Sequence, residues 1–293
     1  TSFSPRLFFV RRGGHAIMPF ELSGPLLILG AGKMGGALVA GLLSRGLDPK
    51  HLLILDPAPP PETEDLIRSH NLAAGTASFD GVEGQPSVIL AAVKPQVMED
   101  VFPPVARLAG SDTLTLSIAA GRTIASFEQH LPAESAVVRA MPNTPASIGH
   151  GMTVCCANAA TRPDQRELAT ALMSAVGEVA WVEDEGLMNA VTAVSGSGPA
   201  YVFHLAECIA AAGVAVGLDA ELAAKLARTT VAGAGALLAE SELSAEQLRC
   251  NVTSPGGTTA AALDVLMAEG SMKRLVDRAI AAAHARGHEL SGT

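Results

Sequence analysis

From Leu26 to about Val182, short apolar and β-branched runs alternate with stretches of helical character, which is the pattern of parallel strands joined by crossover helices. Strands are predicted at Leu26 to Leu29, Leu52 to Asp56, Val88 to Ala92, Leu114 to Ile118 and Val137 to Met141. Several are apolar at nearly every position, as strands covered on both faces should be. Met152 to Cys156 and Val179 to Val182 read as further edge strands. After Glu185 the pattern changes to long Ala- and Leu-rich segments, so this half is predicted all helical. Asp219 is a candidate N-cap, Gly213, Gly217 and Gly270 are candidate stops, and Ser244 with Gln247 fits a capping box. The fold class is therefore α/β: an N-terminal doubly wound parallel sheet over residues 26–183, then a helical domain over 184–293, with residues 1–25 as an extension.

Composition narrows the class. Of 293 residues, 48% are apolar and 17% charged, which excludes a disordered chain. No uninterrupted apolar run approaches the roughly 18 residues that span a bilayer, so no membrane partner is expected. A net charge of −9 argues against nucleic acid, which is bound by clustered Lys and Arg. The four cysteines, Cys155, Cys156, Cys208 and Cys250, show neither C-x-x-C spacing nor paired histidines. No metal is expected, and reduced thiols in a cytoplasmic protein are the default. Cys155 and Cys156 adjoin in a predicted strand and should point to opposite faces. The start of the chain carries Arg6, Arg11 and Arg12 with no acid before Glu21, but its apolar piece is too short for a signal sequence. An unstructured extension, or an upstream start with Met18 as initiator, is preferred over a targeting segment.

Chemistry begins at Leu26-Leu-Ile-Leu-Gly30-Ala-Gly32-Lys-Met-Gly35-Gly36, where G-x-G-x-x-G directly follows a predicted strand and opens a predicted helix. That context makes a weak motif a strong one. Gly30 permits the tight turn, Gly32 lets the backbone approach a pyrophosphate, and Gly35 lets helix and sheet pack, with free N–H groups aimed at the anion. Asp56 ends the second strand, where an acid can bond both ribose hydroxyls of NAD and repel the extra phosphate of NADP. It could equally be a turn-initiating Asp before Pro57. Ala92-Val93-Lys94-Pro95 ends the third predicted strand, with Lys94 facing either a cofactor or solvent. Ser117 to Gly121 ends the fourth with small residues suited to a ring lying close to the backbone, and Arg139 to Pro145 forms a rigid polar loop after the fifth.

In the helical half, Ser195-Gly-Ser-Gly-Pro-Ala-Tyr201 and Thr253-Ser-Pro-Gly-Gly-Thr-Thr259 each precede a predicted helix. Such a segment can present loop amides to a small carboxylate, or can be an ordinary helix cap. Taken together and in order, GAGKMG, AVKP, SIAAG, RAMPNTP, SGSGPAY and SPGGTT resemble the pyrroline-5-carboxylate reductases over nearly the whole chain beyond the extension.

The resemblance implies reduction of 1-pyrroline-5-carboxylate to L-proline with NADPH or NADH, the last step of proline biosynthesis. It implies a Rossmann domain and a helical dimerisation domain, hence a homodimer, with a decameric ring of five dimers as the further assembly it admits. By matching motifs, Gly30, Ala31, Gly32, Lys33, Met34 and Gly35 would hold the pyrophosphate. Ala92, Val93, Lys94, Pro95, Ile118, Ala119 and Ala120 would line the cofactor, with Asn251 approaching from the helical side. Ser254, Gly257, Thr258 and Thr259 would bind the substrate carboxylate, and Thr259 would also aim its hydroxyl at the ring nitrogen. Glu185 would lie near the substrate, and Glu242 would stand behind Thr259 as a second catalytic group. Members vary after the second strand, many carrying Ser, Thr or Asn near a basic group where this chain has Asp56. NADH is therefore expected to serve at least comparably well. No histidine is placed convincingly as an acid, and an imine can arrive already protonated. Two rivals remain: a β-hydroxyacid or other imine reductase, whose lysine is not matched by Lys225 or Lys273, and a non-catalytic dinucleotide sensor, which would not need the Ser254 to Thr259 loop.

Overall fold

The computed structural model describes residues 22–75 and 84–291. The extension expected over residues 1–25 lies, apart from Leu22 to Pro25, outside them. Eight strands, β1 (Leu26–Leu29), β2 (Leu52–Leu55), β3 (Ala73–Gly75), β4 (Val88–Ala91), β5 (Leu114–Ser117), β6 (Ala136–Met141), β7 (Gly151–Ala157) and β8 (Gly177–Trp181), form one sheet in the order β3-β2-β1-β4-β5-β6-β7-β8. The first six are mutually parallel, whereas β7 runs antiparallel to β6 and β8 runs parallel to β7. One expectation is corrected here: of the two extended runs read as edges, the segment around Met152 to Cys156 is an interior strand and β8 is the edge. The opposite edge, β3, was not foreseen, being an Ala-Ala-Gly strand with no β-branched residue to announce it.

Alternation along the strands divides the core between the two faces of the sheet. Leu26 and Ile28 face α1 (Lys33–Ser44) through Leu38, Val39 and Leu42, and α5 (Pro163–Ser174) through Ala169, Leu172 and Met173. Leu27 and Leu29 belong to the other face, with α3 (Met98–Ala106) and α4 (Ile124–Glu128) contributing Phe102, Val105, Ile124 and Phe127. The remaining helix of this half, α2 (Pro61–His70), ends on Asn71 in the left-handed region. Cys155 and Cys156 lie on opposite faces, as the period of two requires. Burial pushes both thiols up, Cys156 to about 11, so neither is a thiolate near neutrality.

Thr153, fully buried on β7, has a hydroxyl with no hydrogen-bond partner. An orphaned buried hydroxyl costs about 1–3 kcal/mol, and removing it with retention of shape recovers part of that. Thr153→Val is therefore expected to stabilise the protein by about 1 kcal/mol, read as a raised unfolding temperature. An unchanged or lower value would mean that the hydroxyl is satisfied in solution.

The helical half comprises α6 (Met188–Val191), α7 (Gly198–Ala215), α8 (Ala220–Glu240), α9 (Ala245–Asn251), α10 (Thr258–Leu266) and α11 (Met272–Ser291). Asp219 caps α8 by accepting the Leu222 N–H at 2.9 Å, and Ser244 and Gln247 close the capping box of α9. Gly217 and Gly270 follow helix ends with positive φ, but Gly213 lies within α7 and does not stop it. The Ser195–Tyr201 segment is corrected as well: Thr192–Gly196 is a π-helical turn that leads into α7, so these residues are mostly helical and do not form an open loop.

Residues to Gly196 together with those from Arg286 form one compact unit, and Ser197–Ala285 form another. Among the described residues of the second unit, only Ala223 and Ala227 are buried, while Phe203, Val216, Val265 and Leu275 are each more than 60% exposed. An apolar helical unit with so small an interior of its own needs a covering surface. The helical run Glu185–Ala215 is, by length and composition, long and apolar enough to cross a membrane, although it holds no uninterrupted apolar run of that length. Helices that bury an apolar face against protein share that property.

Candidate active site

The strand order turns outward in both directions from β1 and β4, and ligands of open α/β sheets bind beyond the carboxyl ends at such a point. The backbone is level there, with Gly30 N–H donating to the Leu55 carbonyl at 2.9 Å and Ala92 N–H to the Leu29 carbonyl at 2.8 Å. Gly30 has φ +87°, and a Cβ on it would come within 2.8 Å of Val93. At Gly35 a Cβ would stand 2.2 Å from the Gly30 carbonyl oxygen, so the start of α1 presses directly on the turn. Gly32 differs from both: a Cβ there would meet nothing within 4 Å. Gly32 is also the N-cap of α1, with no side chain capping the helix, and the first helical bond runs from Gly36 N–H to the Gly32 carbonyl at 2.7 Å. The opening amides of a 12-residue helix thus border open space, which fits a dinucleotide pyrophosphate.

Asp56 does more than was expected of it. Its Oδ2 accepts the Ala31 N–H at 2.6 Å and its Oδ1 the Ala58 N–H at 2.9 Å, so the carboxylate pins the glycine turn and the start of the following loop. A carboxylate has about four lone-pair sites, so acceptor capacity remains for ribose hydroxyls. The sequence from Asp56 to Ile67 contains Glu62, Glu64 and Asp65 and no Lys or Arg, and Arg68, which follows on α2, is paired with Asp65.

Beyond β4, Ala92, Val93 and Pro95 are half-buried and Lys94 is exposed. Beyond β5, Ile118 and Ala119 are buried and Ala120 is exposed, with Ala119 N–H donating to Ser117 Oγ at 3.2 Å. Lys33 and Met34 open α1, Lys33 exposed and Met34 half-buried. These residues gather at one end of the sheet.

Glu185 is occupied in a way its sequence position did not foretell. Its Oε1 accepts from Arg139 Nη1 at 2.9 Å and from the Ile124 N–H at 2.8 Å, joining β6, the start of α4 and the short turn Glu185–Leu187. The Arg139 side chain is only 5% exposed, so this ion pair is its means of being buried. Asn143 was also not singled out. Its Nδ2 donates to the Ser195 carbonyl and hydroxyl, each at 3.3 Å, and its Oδ1 accepts the Met152 N–H at 2.9 Å.

In the second unit, Ser254 to Gly257 form a turn closed by Gly257 N–H on the Ser254 carbonyl at 3.0 Å. Gly257 is the N-cap of α10 and, like Gly32, has no side-chain cap. Thr258 and Thr259 occupy the first turn of that helix, Thr258 exposed and Thr259 half-buried. Asn251 ends α9 and Glu242 lies between α8 and α9, both exposed. Among the described residues, no cluster of three or more His, Cys, Asp or Glu is arranged to hold a metal.

Residues 185–290 match the family described as pyrroline-5-carboxylate reductase dimerisation, and residues 25–121 match NADP oxidoreductase, coenzyme F420-dependent. A pyrroline-5-carboxylate reductase of Mycobacterium tuberculosis is 39% identical over 288 residues, covering 90% of this chain and 96% of the relative. The chain belongs to the pyrroline-5-carboxylate reductases. The reductase of Synechocystis is 40% identical over 266 residues, covering 90% of this chain and 97% of its own. The solved structure of the Coxiella burnetii reductase superposes with a TM-score of 0.85 at 35% identity, over 92% of this chain and all of that one. A Plasmodium falciparum reductase solved with NADP bound gives 0.76 at 28% identity, over 92% and 98% of the two chains. For this reductase, the dimerisation match explains why the helical unit buries so little of its apolar surface when alone.

Proposed function

We infer that this chain reduces 1-pyrroline-5-carboxylate to L-proline with NADPH or NADH, and that the glycine turn and the α10 turn divide the work. The observation that carries the reading is Gly32, the one glycine of the turn whose missing side chain leaves open space at an uncapped helix start. The bound cofactor supplies the hydride, and the chain's own residues supply position and a proton. Gly30 to Gly35 hold the pyrophosphate, while Ala92 to Pro95 and Ile118 to Ala120 form the walls beside it, with Asn251 as a further contact. Ser254 and Thr258 offer N–H and hydroxyl groups to the substrate carboxylate, and Gly257, whose own N–H closes the turn on Ser254, lets the carboxylate approach the start of α10, where the dipole favours an anion.

Thr259 Oγ1 orients the imine nitrogen and relays a proton to it from water, with Glu242 behind. A hydroxyl is a weak acid, so its contribution is mainly positional. Thr259→Ala is expected to lower kcat by roughly 10- to 100-fold while leaving nucleotide dissociation constants unchanged; wild-type turnover would remove Thr259 from the mechanism. Glu185 supports Arg139 through its ion pair, and a contact with the substrate is proposed as its second role.

The activity test is absorbance at the nicotinamide band. Oxidation of NADH that begins only on addition of 1-pyrroline-5-carboxylate supports the reading, while binding without oxidation favours a sensor. Asp56 and the acids Glu62, Glu64 and Asp65 at the start of α2 support NADH as a substrate at least as good as NADPH; equal turnover with a far lower KM for NADPH would overturn that. The proposed assembly is a homodimer, with five dimers closing a ring, and light scattering distinguishes the mass of ten chains from that of two. A cytoplasmic location agrees with four cysteines that are all free.

A further inference from the structure

The corner that follows β4 is fastened to the corner that follows β5 by one side chain with no role in the reading above. Arg122 donates to the Pro95 carbonyl through Nη2 at 2.7 Å and Nε at 3.3 Å, and its Nη1 donates to Glu99 Oε1 at 2.5 Å. The other Glu99 oxygen meets Nε2 of His130 at 3.2 Å. The His130 ring stands edge-on to Phe102, itself edge-on to Phe127 with centroids 4.9 Å apart. The network thus starts on a backbone carbonyl at one corner and ends in the packed layer of α3 and α4.

Pro95 begins a three-residue 3-10 turn that follows Lys94. A turn this short has little internal support: Val97 N–H donates to the Lys94 carbonyl at 3.1 Å, and the next amide returns to Pro95. Arg122 lies just after Ala119, Ala120 and Gly121, and its side chain is only 22% exposed. Its planar fork can place two donors on one carbonyl and a third on a carboxylate, which the single ammonium of a lysine cannot reproduce.

We propose that Arg122 is a positioning residue for dinucleotide binding: its guanidinium sets the Lys94–Pro95 turn against the Ala119–Gly121 turn, and so fixes the spacing of the two walls that receive the cofactor. The inference rests on the assignment of those two segments as cofactor walls. Arg122 acts through the Pro95 carbonyl, so its removal loosens the receiving geometry without taking away a contact to the ligand.

The test is fluorescence titration of the intact oligomer with NADH and with NADPH, for the wild type, Arg122→Met, Arg122→Lys, Glu99→Gln and Gly32→Val. Arg122→Met is expected to raise both dissociation constants by about 10-fold, with kcat at saturating nucleotide within about two-fold of wild type. Arg122→Lys should recover part of the affinity. Glu99→Gln, which keeps an acceptor but loses the charge, should give a smaller rise in the same direction, and it carries the test if Arg122→Met does not fold. A lowered unfolding temperature with unchanged dissociation constants would reduce Arg122 to a structural staple and overturn the proposal. Gly32→Val separates the two levels of inference. If it loses binding while the Arg122 variants bind normally, only the Arg122 proposal fails; if it binds normally, the cradle assignment fails as well.

Discussion

Gly32→Val is expected to weaken both NADH and NADPH binding by at least about 100-fold while leaving the unfolding temperature within about 2 °C of wild type. The separation of the two readouts follows from geometry. A Cβ at Gly32 meets nothing within 4 Å, so the side chain leaves the backbone without a clash and no packing is lost. The isopropyl group instead occupies the space beside the opening amides of α1. Charge-assisted hydrogen bonds are worth about 1.5–3 kcal/mol each, so blocking two of them accounts for a loss of that size. Gly35→Ala should behave in the opposite way, because its Cβ would lie 2.2 Å from the Gly30 carbonyl oxygen and backbone would have to move. Its primary effect is on stability, about 1–3 kcal/mol or more, with binding lost as a consequence. Calorimetry and nucleotide titration on the two variants give both quantities. Normal binding by Gly32→Val would place the dinucleotide elsewhere.

The glycine turn could be read before any coordinates because its chemistry is local: three glycines, a preceding strand and a following helix are contiguous in the chain. The strands β1 and β4 were legible for a similar reason, since they are buried on both faces and apolar throughout, while β5 is equally buried but alternates Leu with Thr and Ser. The direction of β7 is not encoded in its apolar pattern. The connection holds that information: only residues 142–150 separate β6 from β7, too few for a parallel crossover, whereas the link from β7 to β8 contains α5. The Ser195–Tyr201 segment misled for a compositional reason, since Ser, Gly and Pro suggest a loop and a π-turn has no side-chain signature of its own. Asp56 carried two compatible meanings, and the coordinates show the turn-forming one directly through Ala31 and Ala58. The partner of Glu185 could not be identified from spacing, because 46 residues separate it from Arg139. A weaker signal was present: an arginine inside the strand Ala136–Met141 is a charge among apolar neighbours, and such a charge requires a partner.

That partnership leads to the second large effect. Glu185→Ala is expected to destabilise the protein by about 2–3 kcal/mol, a fall in unfolding temperature of roughly 5–10 °C. Removing one member of a buried pair leaves the other charged and unpaired, and Arg139 has a side chain only 5% exposed. The 29% exposure of the Glu185 side chain lets water relieve part of the penalty, which keeps the value at the low end for such breaks. The Ile124 N–H at the start of α4 loses its acceptor in the same substitution. Glu185→Gln keeps an oxygen for both donors and removes only the charge, so about 1 kcal/mol is expected. The pair of variants also decides between the two roles of Glu185. If it holds Arg139, stability falls in the order Gln then Ala, with the KM for pyrroline-5-carboxylate little changed in the folded fraction. If it contacts substrate instead, both variants raise KM while unfolding stays near wild type, and the ion pair with Arg139 would then have to be dispensable for a guanidinium shielded from water on nearly every side.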